Sequence, residues 1–328
     1  MTNQQKNDEL KELTDELALY QTKKAQAYLA AVEDVNDSLR SLDAGEILVC
    51  DDLDNEVYHQ CEGISSSKIK YYMSTCGQNF KAKYISKLIK EKEKDYFNMG
   101  NAIETLLLEP EKFLSMFIRQ PDEIANRNSL DYKIFKLRAQ LKDLIVLTSE
   151  QWDDLKYFKK KCEQSPLLIG LMSANGTIQR SVFKRDEHTG LIIKCRLDYC
   201  WEDIGVDVKS SVNASPRWFN LQAKKLGYAI QDAMYSDIAN LNEFHFMTIE
   251  SALPFTITYD SVFDIEMKNL GYYQYRCGLM EIKASTEADE WKPYTRDTNI
   301  IKATQYDLVA LDVYKQRYDE LMNIIEGN

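Results

Sequence analysis

The stretch LIIKCRLDYCWEDIGVDVKSSV, residues 191–212, decides the predicted fold. Two runs rich in strand-forming residues, LIIKCRLDYCW and VDVKS, flank turn-forming residues at 202–205. A third run, IQRSVF, precedes them across the turn signal His188-Thr189-Gly190. We therefore expect three consecutive antiparallel strands.

The charged residues of the second and third strands form the first candidate site. A four-residue loop over 202–205 would place Asp198 opposite Lys209, and Cys200 opposite Asp207. Because side chains alternate along a strand, Asp198, Asp207 and Lys209 would then project from one face. Two carboxylates and an amine suit phosphodiester hydrolysis, since hard oxygen ligands hold Mg²⁺ or Mn²⁺.

The D-x-K pattern by itself has a simpler interpretation, which is a solvent-facing charged pair. Its neighbours favour a functional one. The apolar run 191–193 leads toward Asp198, and Val206 and Val208 flank Asp207. These charges should therefore lie at the mouth of a core.

Two helices and two strands are expected after this hairpin. Ser215-Pro216 should open a helix as cap and first residue, and Gly227 should end it. The next helix carries Gln231 and Tyr235, one turn apart. Strands near 245–250 and 255–259 and a long helix over about 264–287 should follow.

Helices are also expected before the strands. Residues 6–42 show helical spacing of apolar residues, so 1–45 is predicted to be an N-terminal helical segment ahead of the domain over 46–328 that carries the candidate site. A further helix should run from about Asp95 to Glu109, where Pro110 stops it.

Composition limits the class of protein. The chain has 328 residues, 44% of them hydrophobic, which is enough for a large core. It shows no signal peptide and no run near the roughly 20 apolar residues of a membrane span, so we expect a cytoplasmic protein with no membrane contact. Its seven scattered cysteines lack a CxxC pair, which argues against a disulfide framework or structural zinc.

The net charge of −11 disfavours phosphate binding over the whole surface, because that requires local positive potential. Basic residues nevertheless cluster in places, for example at Lys224 and Lys225. A solvated helix face is the simpler interpretation of each such cluster.

The order of these motifs resembles the PD-(D/E)xK nuclease superfamily. Asp198 is followed by Asp207-Val208-Lys209 and then by QDAMY at 231–235, a QxxxY step typical of the RecB-like branch. Longer matches over roughly 56–294 resemble the RecE-like (exonuclease VIII) nuclease family. They are YHQCEGISSSKIK (58–70), MGNAIETLLLEPEKF (99–113), VFKRDEHTGLIIKCRLDY (182–199) and DVKSSVNASPRWFNLQAKKLGYAIQDAMYSD (207–237).

The resemblance implies an α/β fold, with a PD-(D/E)xK restriction-endonuclease-like core whose central mixed sheet is flanked by helices. It implies a 5′–3′ exodeoxyribonuclease that resects linear double-stranded DNA from its ends. The remaining 3′ strand would pass to a RecT-like single-strand annealing protein. A homo-oligomeric ring is also implied.

Residue roles follow from the same resemblance. Asp198 and Asp207 become metal ligands together with the Val208 carbonyl, and the implied metal is Mg²⁺, for which Mn²⁺ substitutes. Lys209 becomes the water-activating residue. Gln231 and Tyr235 would position DNA or the lysine, and an ordinary helix face is the alternative for that pair.

The chain departs from the family pattern at three positions. Glu104 follows Gly100 where the family has the histidine of G-x-x-x-H, Leu197 replaces a proline, and Gln179 replaces a frequent glutamate. Carboxylate oxygen suits a hard cation better than imidazole does, so we interpret Glu104 as an altered metal ligand. A surface glutamate beside an incomplete metal site is the alternative.

Three further residues are candidates for phosphate binding. Ser65 and Ser67 lie at a helix start, which favours anions, although helix capping explains them equally well. Arg196, two residues before Asp198, could reach a phosphate or pair with an acid.

Two other functions compete with an active exonuclease. One is a catalytically silent DNA-end-binding or scaffold protein of the same fold. The other is a structure-specific or defence-related endonuclease. Digestion of linear and circular DNA distinguishes the three.

Overall fold

A computed structural model describes residues 1–89, 96–124, 126–173 and 175–294, together with 305, 309, 311 and 313–315. The chain divides into two compact units, Met1–Lys292 and Pro293–Asn328. The described residues beyond 304 are helical. The sheet and the candidate site belong to the first unit.

Helices make up most of the first unit. The α-helices are α1 (Asn3–Arg40), α2 (Asn55–Gln60), α3 (Ser66–Ser74), α4 (Gly77–Phe80), α5 (Tyr96–Leu108), α6 (Phe113–Met116), α7 (Leu130–Gln140), α8 (Ser149–Gln164), α9 (Pro166–Ser173), α10 (Pro216–Lys225), α11 (Tyr228–Ala239) and α12 (Ile265–Ala288). No described helix is long and apolar enough to cross a membrane.

The strands form one large sheet and one small one. They are β1 (Ile47–Cys50), β2 (Ile64–Ser65), β3 (Phe117–Arg119), β4 (Ile145–Leu147), β5 (Thr177–Arg185), β6 (Ile192–Trp201), β7 (Ile204–Ser211), β8 (Glu243–Glu250) and β9 (Ile257–Thr258). The large sheet has the order β1-β5-β6-β7-β8-β9, and β2 also pairs with β6. The β2–β6 and β7–β8 pairs are parallel and the others are antiparallel, so the predicted mixed sheet and the three consecutive antiparallel strands are confirmed.

The predicted register of the β6–β7 hairpin was wrong. Trp201 pairs with Ile204 and Cys200 with Gly205, so the turn has two residues rather than four. Glu202 permits this turn by adopting a left-handed φ of +51°. Gly205 belongs to the strand β7 and not to the turn. Glycine fits this position because a Cβ there would lie only 2.7 Å from the Leu241 side chain.

The correction shifts the register by two residues, and a shift of two keeps side chains on their original face. The ladder between β6 and β7 ends at the Tyr199–Val206 pair. Before Tyr199, β6 no longer pairs with β7, and residues 193 and 194 of β6 pair with β2. Asp198 lies at the point where β6 and β7 diverge.

Two helical layers cover the sheet. Helices α5 and α8 pack against Tyr199, Val206 and Val208 on one face. Helices α3, α11 and α12 pack against Ile193 and Cys195 on the other. The core therefore encloses the middle of β6 and β7, where the acidic residues lie.

The elements after the hairpin confirm the expected order. The Ser215 side chain accepts a hydrogen bond from the Trp218 N–H at the start of α10, and Pro216 is the first helical residue. Gly227 separates α10 from α11, which carries Gln231 and Tyr235. Strands β8 and β9 and helix α12 then follow at the predicted places.

The N-terminal segment is one helix, α1, where one or two were expected. Its Val32 and Leu39 share an apolar cluster with Val57 and Tyr58 of α2. Its other contacts include the helix α7. The division at residue 45 stays a prediction. All seven cysteines are free thiols.

Candidate active site

Strand β7 supplies the most buried acid of the site. Asp207 is 3% exposed, and its Oδ1 accepts a hydrogen bond from Nε2 of Gln231 at 2.5 Å. Lys209 Nζ lies 2.5 Å from Oδ2 of the same carboxylate. Within the described residues, that buried Oδ2 still has no partner that satisfies hydrogen-bond geometry.

Asp198 projects toward β7 from the end of the paired segment of β6. Its Oδ2 accepts a hydrogen bond from the Val208 N–H at 2.7 Å, which replaces the ladder bond lost where the strands diverge. Burial, and then the carboxylates of Asp207 and Glu104, raise the pKa of Asp198 well above its usual value. The three acids are therefore close enough to repel one another.

Glu104 reaches this cluster from α5. A Cβ at Gly100 would lie 2.8 Å from Oγ of Ser210, so the glycine allows α5 to approach β7 closely. Glu104 Oε1 accepts a hydrogen bond from Nε2 of Gln179 at 2.5 Å. Burial, and then the Asp207 carboxylate, raise the pKa of Glu104. Glu104 therefore faces the cluster of acids, and its role as a metal ligand stays a prediction.

Lys209 remains protonated in this arrangement. Burial opposes its charge, but the carboxylates of Asp207 and Asp198 outweigh that effect and raise its pKa. The ring of Tyr228 lies 5.1 Å from its ammonium, and this cation–π contact adds to the stabilisation. As placed, Lys209 is a hydrogen-bond donor.

The structure adds Lys70, which was not recognised in the sequence as a site residue. Its Nζ lies 3.5 Å from Oε1 of Gln231 and 5.5 Å from the centre of the Tyr228 ring. Burial, and then the charge of Lys209, lower the pKa of Lys70 to about 8. Only the packing of α3 against α11 brings it here, so no local signal could have identified Lys70 or Tyr228.

Tyr235 lies near the acids but in an apolar setting. Its ring packs edge-on against Phe244, with the ring centres 5.5 Å apart. Burial, and then the hydroxyl of Tyr58, raise the pKa of Tyr235 well above its usual value. Gln231 thus contacts an acidic residue directly, whereas Tyr235 borders the site.

Arg196 contacts the site indirectly. Its Nε donates to Oε1 of Gln179 at 2.8 Å, and its Nη1 donates to Oγ of Ser181 at 2.7 Å. Because Gln179 in turn holds Glu104, Arg196 positions an acid through an intervening amide. Its predicted contact with a phosphate stays a prediction.

The two serines lie at the start of α3. Ser65 is the N-cap residue, but its side chain makes no capping hydrogen bond. Ser67 is exposed. The Ser65 hydroxyl is therefore not used to cap the helix. Phosphate binding by Ser65 and Ser67 stays a prediction.

A comparison with family models identifies the family of this chain. Residues 65–288, about two thirds of the chain, match the model of a family described as a PDDEXK-like domain of unknown function. The chain belongs to the PDDEXK-like family. A comparison of this PDDEXK-like chain with curated proteins found no match.

One solved structure similar to this PDDEXK-like protein is a presumptive exonuclease from Eubacterium rectale. The two share 14% sequence identity and a TM-score of 0.49, over 77% of this chain and 95% of the other. This likeness is distant.

PDDEXK nucleases generally use divalent metals, and the donors of this PDDEXK-like site suit one. Within the described parts of the chain, no three His, Cys, Asp or Glu side chains converge closely enough to hold a metal ion as they stand. Each of the three carboxylates instead accepts a hydrogen bond from the protein: Glu104 from Gln179, Asp198 from Val208 and Asp207 from Gln231.

The chemistry of the three carboxylates nevertheless fits a divalent cation. They are oxygen donors, two of them have raised pKa values, and Asp207 Oδ2 lacks a hydrogen bond among the described residues. A hard cation would offset their mutual repulsion. Binding requires the acids to exchange some of their protein donors for the metal. The Val208 carbonyl stays a predicted ligand.

Proposed function

We propose that this PDDEXK-like protein is a Mg²⁺-dependent exodeoxyribonuclease that resects linear double-stranded DNA in the 5′–3′ direction. One observation carries the proposal: Glu104, Asp198 and Asp207 interact in one partly buried site beside the Lys209 ammonium. The three acids, the lysine amine and the glutamine of the QxxxY motif are together the residues expected in the active site of a PD-(D/E)xK nuclease.

Each residue has a role in phosphodiester hydrolysis. Glu104, Asp198 and Asp207 would hold Mg²⁺ or Mn²⁺, which supplies Lewis-acid stabilisation of charge on the scissile phosphate. Lys209 orients the attacking water through its ammonium group. Gln231 holds the Asp207 carboxylate at 2.5 Å and so keeps its second oxygen turned toward Lys209.

The test is digestion of linear and circular duplex DNA by purified protein in Mg²⁺, Mn²⁺ or EDTA. Loss of linear DNA only, and only with metal, supports the exonuclease. Cutting of circles indicates an endonuclease, which would overturn the proposal. Binding to DNA ends without metal-dependent degradation indicates a catalytically silent end-binding or scaffold protein.

The resemblance to RecE-like nucleases carries the finer parts of the proposal. These are the 5′–3′ polarity, transfer of the 3′ strand to a RecT-like annealing protein, and a homo-oligomeric ring. Duplexes labelled at either the 5′ or the 3′ end report polarity. Light scattering during size-exclusion chromatography reports the oligomeric state.

A further inference from the structure

A cavity of about 180 Å³ opens beside the catalytic lysine, between β7, β8 and α10. The residues that line it include Lys209, Ser211, Trp218, Gln222, Tyr228 and Thr248. Its volume is below the roughly 300–1,000 Å³ of sites for drug-sized ligands. It therefore suits one small ring system adjacent to the reacting phosphate.

Trp218 offers this cavity an aromatic face that no protein group uses. The residue is 36% exposed, and its indole makes no hydrogen bond, ring contact or cation contact within the described chain. Tyr228, by contrast, is already engaged, because its ring stacks on Phe246 with centres 5.5 Å apart and faces Lys209. A planar ligand would find its stacking surface on Trp218.

Thr248 adds a polar group without a partner. It is the parallel cross-strand neighbour of Lys209 and is 1% exposed. Its buried Oγ1 has no hydrogen-bond partner in the described residues. A buried hydroxyl that is unsatisfied in the protein can be satisfied by the polar edge of a ligand.

The charge around the cavity favours a polyanion. Between residues 208 and 231 the sequence contains no Asp or Glu but contains Lys209, Arg217, Lys224 and Lys225. In a chain of net charge −11, this segment carries positive charge only, and its Lys209 lines the cavity. Aromatic stacking surfaces within positive grooves are how proteins hold single-stranded nucleic acid.

We propose that the cavity receives one unpaired nucleobase of the DNA strand at the active site, stacked on Trp218 and hydrogen-bonded by Thr248. The inference rests on the proposed function for the identity of the nucleic acid. A base can stack there only after it leaves its pair, so the substrate end must open before cleavage. The flanking phosphates then lie toward Lys209 and the basic side chains of α10.

The test measures binding in EDTA, so that it does not depend on cleavage. Fluorescence anisotropy compares a duplex with a short unpaired tail and the same duplex with abasic sites in the tail, for 5′ and 3′ tails separately. The wild-type protein should prefer the tail with bases by roughly 5- to 150-fold, the factor expected for one stacked base. Trp218→Ala should abolish the preference, and Trp218→Phe should keep most of it.

Trp201→Ala is the matched control, because Trp201 is 41% exposed and lies outside the cavity. Equal binding of the two tails by wild-type protein overturns the proposal, as does a preference that survives Trp218→Ala. If Trp218→Ala changes the molar mass of the protein in solution and leaves the preference for bases intact, Trp218 forms a contact between protein chains instead. Metal-dependent digestion of linear DNA by wild-type protein tests the proposed function separately.

Discussion

Gln179 on β5 lies directly opposite Asp198 on β6, and the ladder between the two strands is interrupted at this pair. Regular pairing continues on both sides, at Ile178–Tyr199 and Arg180–Leu197. Gln179 adopts a left-handed φ of +54°. Leu197 and Tyr199 then pack in different core clusters although they are two residues apart. Side-chain alternation therefore breaks at Asp198, which turns into the gap beside β7.

Gln179 should tune metal binding through Glu104. Its amide donates to the Glu104 carboxylate, and loss of that hydrogen bond raises the pKa of the acid further. We expect Gln179→Ala to increase the Mg²⁺ concentration for half-maximal nuclease activity by roughly 10- to 100-fold, the usual effect of losing such a support. The measurement is the digestion rate across a Mg²⁺ titration.

Gln179→Gly is the matched control for the backbone, because glycine accepts the left-handed conformation without strain. Both variants lack the amide and should show the same shift in Mg²⁺ requirement. A titration of either variant that matches wild type would show that Glu104 is positioned without Gln179.

Lys209 and Asp207 should be indispensable for cleavage. Lys209→Ala removes the donor that orients water, and Asp207→Asn removes a ligand charge while keeping the shape of the side chain. Each should reduce the rate by at least about 10²–10⁴-fold. Circular dichroism checks the fold. Lys156→Ala, on the exposed face of α8, is the control. Unimpaired digestion by Lys209→Ala or Asp207→Asn would contradict the assignment of these residues to the active site.

Glu104 should determine the choice of metal. Glu104→Ala should lower activity and weaken the stabilisation of the protein by Mg²⁺ in thermal unfolding, because a bound ligand stabilises the state that binds it. Glu104→His introduces imidazole, which suits transition metals better than Mg²⁺, so Mn²⁺ should become the preferred activator. Glu111→Ala, at an exposed carboxylate that follows the same helix, serves as the control.

If Glu104→Ala leaves both activity and Mg²⁺ stabilisation unchanged, the metal has only Asp198 and Asp207 as side-chain ligands. The altered-ligand interpretation would then be wrong. The glutamate would belong to the packing of α5 against β7.

Lys194 should make stability depend on pH. It is 2% exposed, and burial, and then the charge of Lys68, lower its pKa to about 7. The ammonium donates to the carbonyl oxygens of Tyr58 and Cys61 at 2.6 and 2.8 Å. Its pKa in the unfolded chain is about 10.4.

Between these two pKa values the unfolded chain binds more protons than the folded one, so the free energy of unfolding should rise with pH. The slope is at most ~1.4 kcal/mol per pH unit, and the full penalty for burying the charge applies below about pH 7. Urea unfolding of wild type and Lys194→Met over this window measures it. A difference between the two proteins that stays constant across the window contradicts the assignment.

Local features of the chain were predictable because they depend on neighbours in sequence. Alternating apolar residues predicted β5, β6 and β7, and Ser215-Pro216 predicted the start of α10. The QxxxY spacing placed Gln231 and Tyr235 one turn apart on α11. These patterns follow from the periods of strand and helix alone.

The register of the β6–β7 hairpin was not predictable from the same patterns. Gly205 resembles a turn residue, but its lack of a side chain makes room for Leu241 and Phe244, which lie more than 30 positions later. The turn was therefore predicted two residues too long. Asp207 and Lys209 share a face in either register, because they lie two residues apart on the same strand.

The sequence by itself indicated the fold class through its resemblance to PD-(D/E)xK nucleases, and it indicated the candidate acids and lysine through their spacing, which is a local property. The tertiary structure decided how those groups meet. Gly100 lets α5 bring Glu104 to β7, the break at Gln179 turns Asp198 into the gap, and packing of α3 against α11 adds Lys70. Each of these depends on contacts between distant segments, whose geometry only the packed core defines.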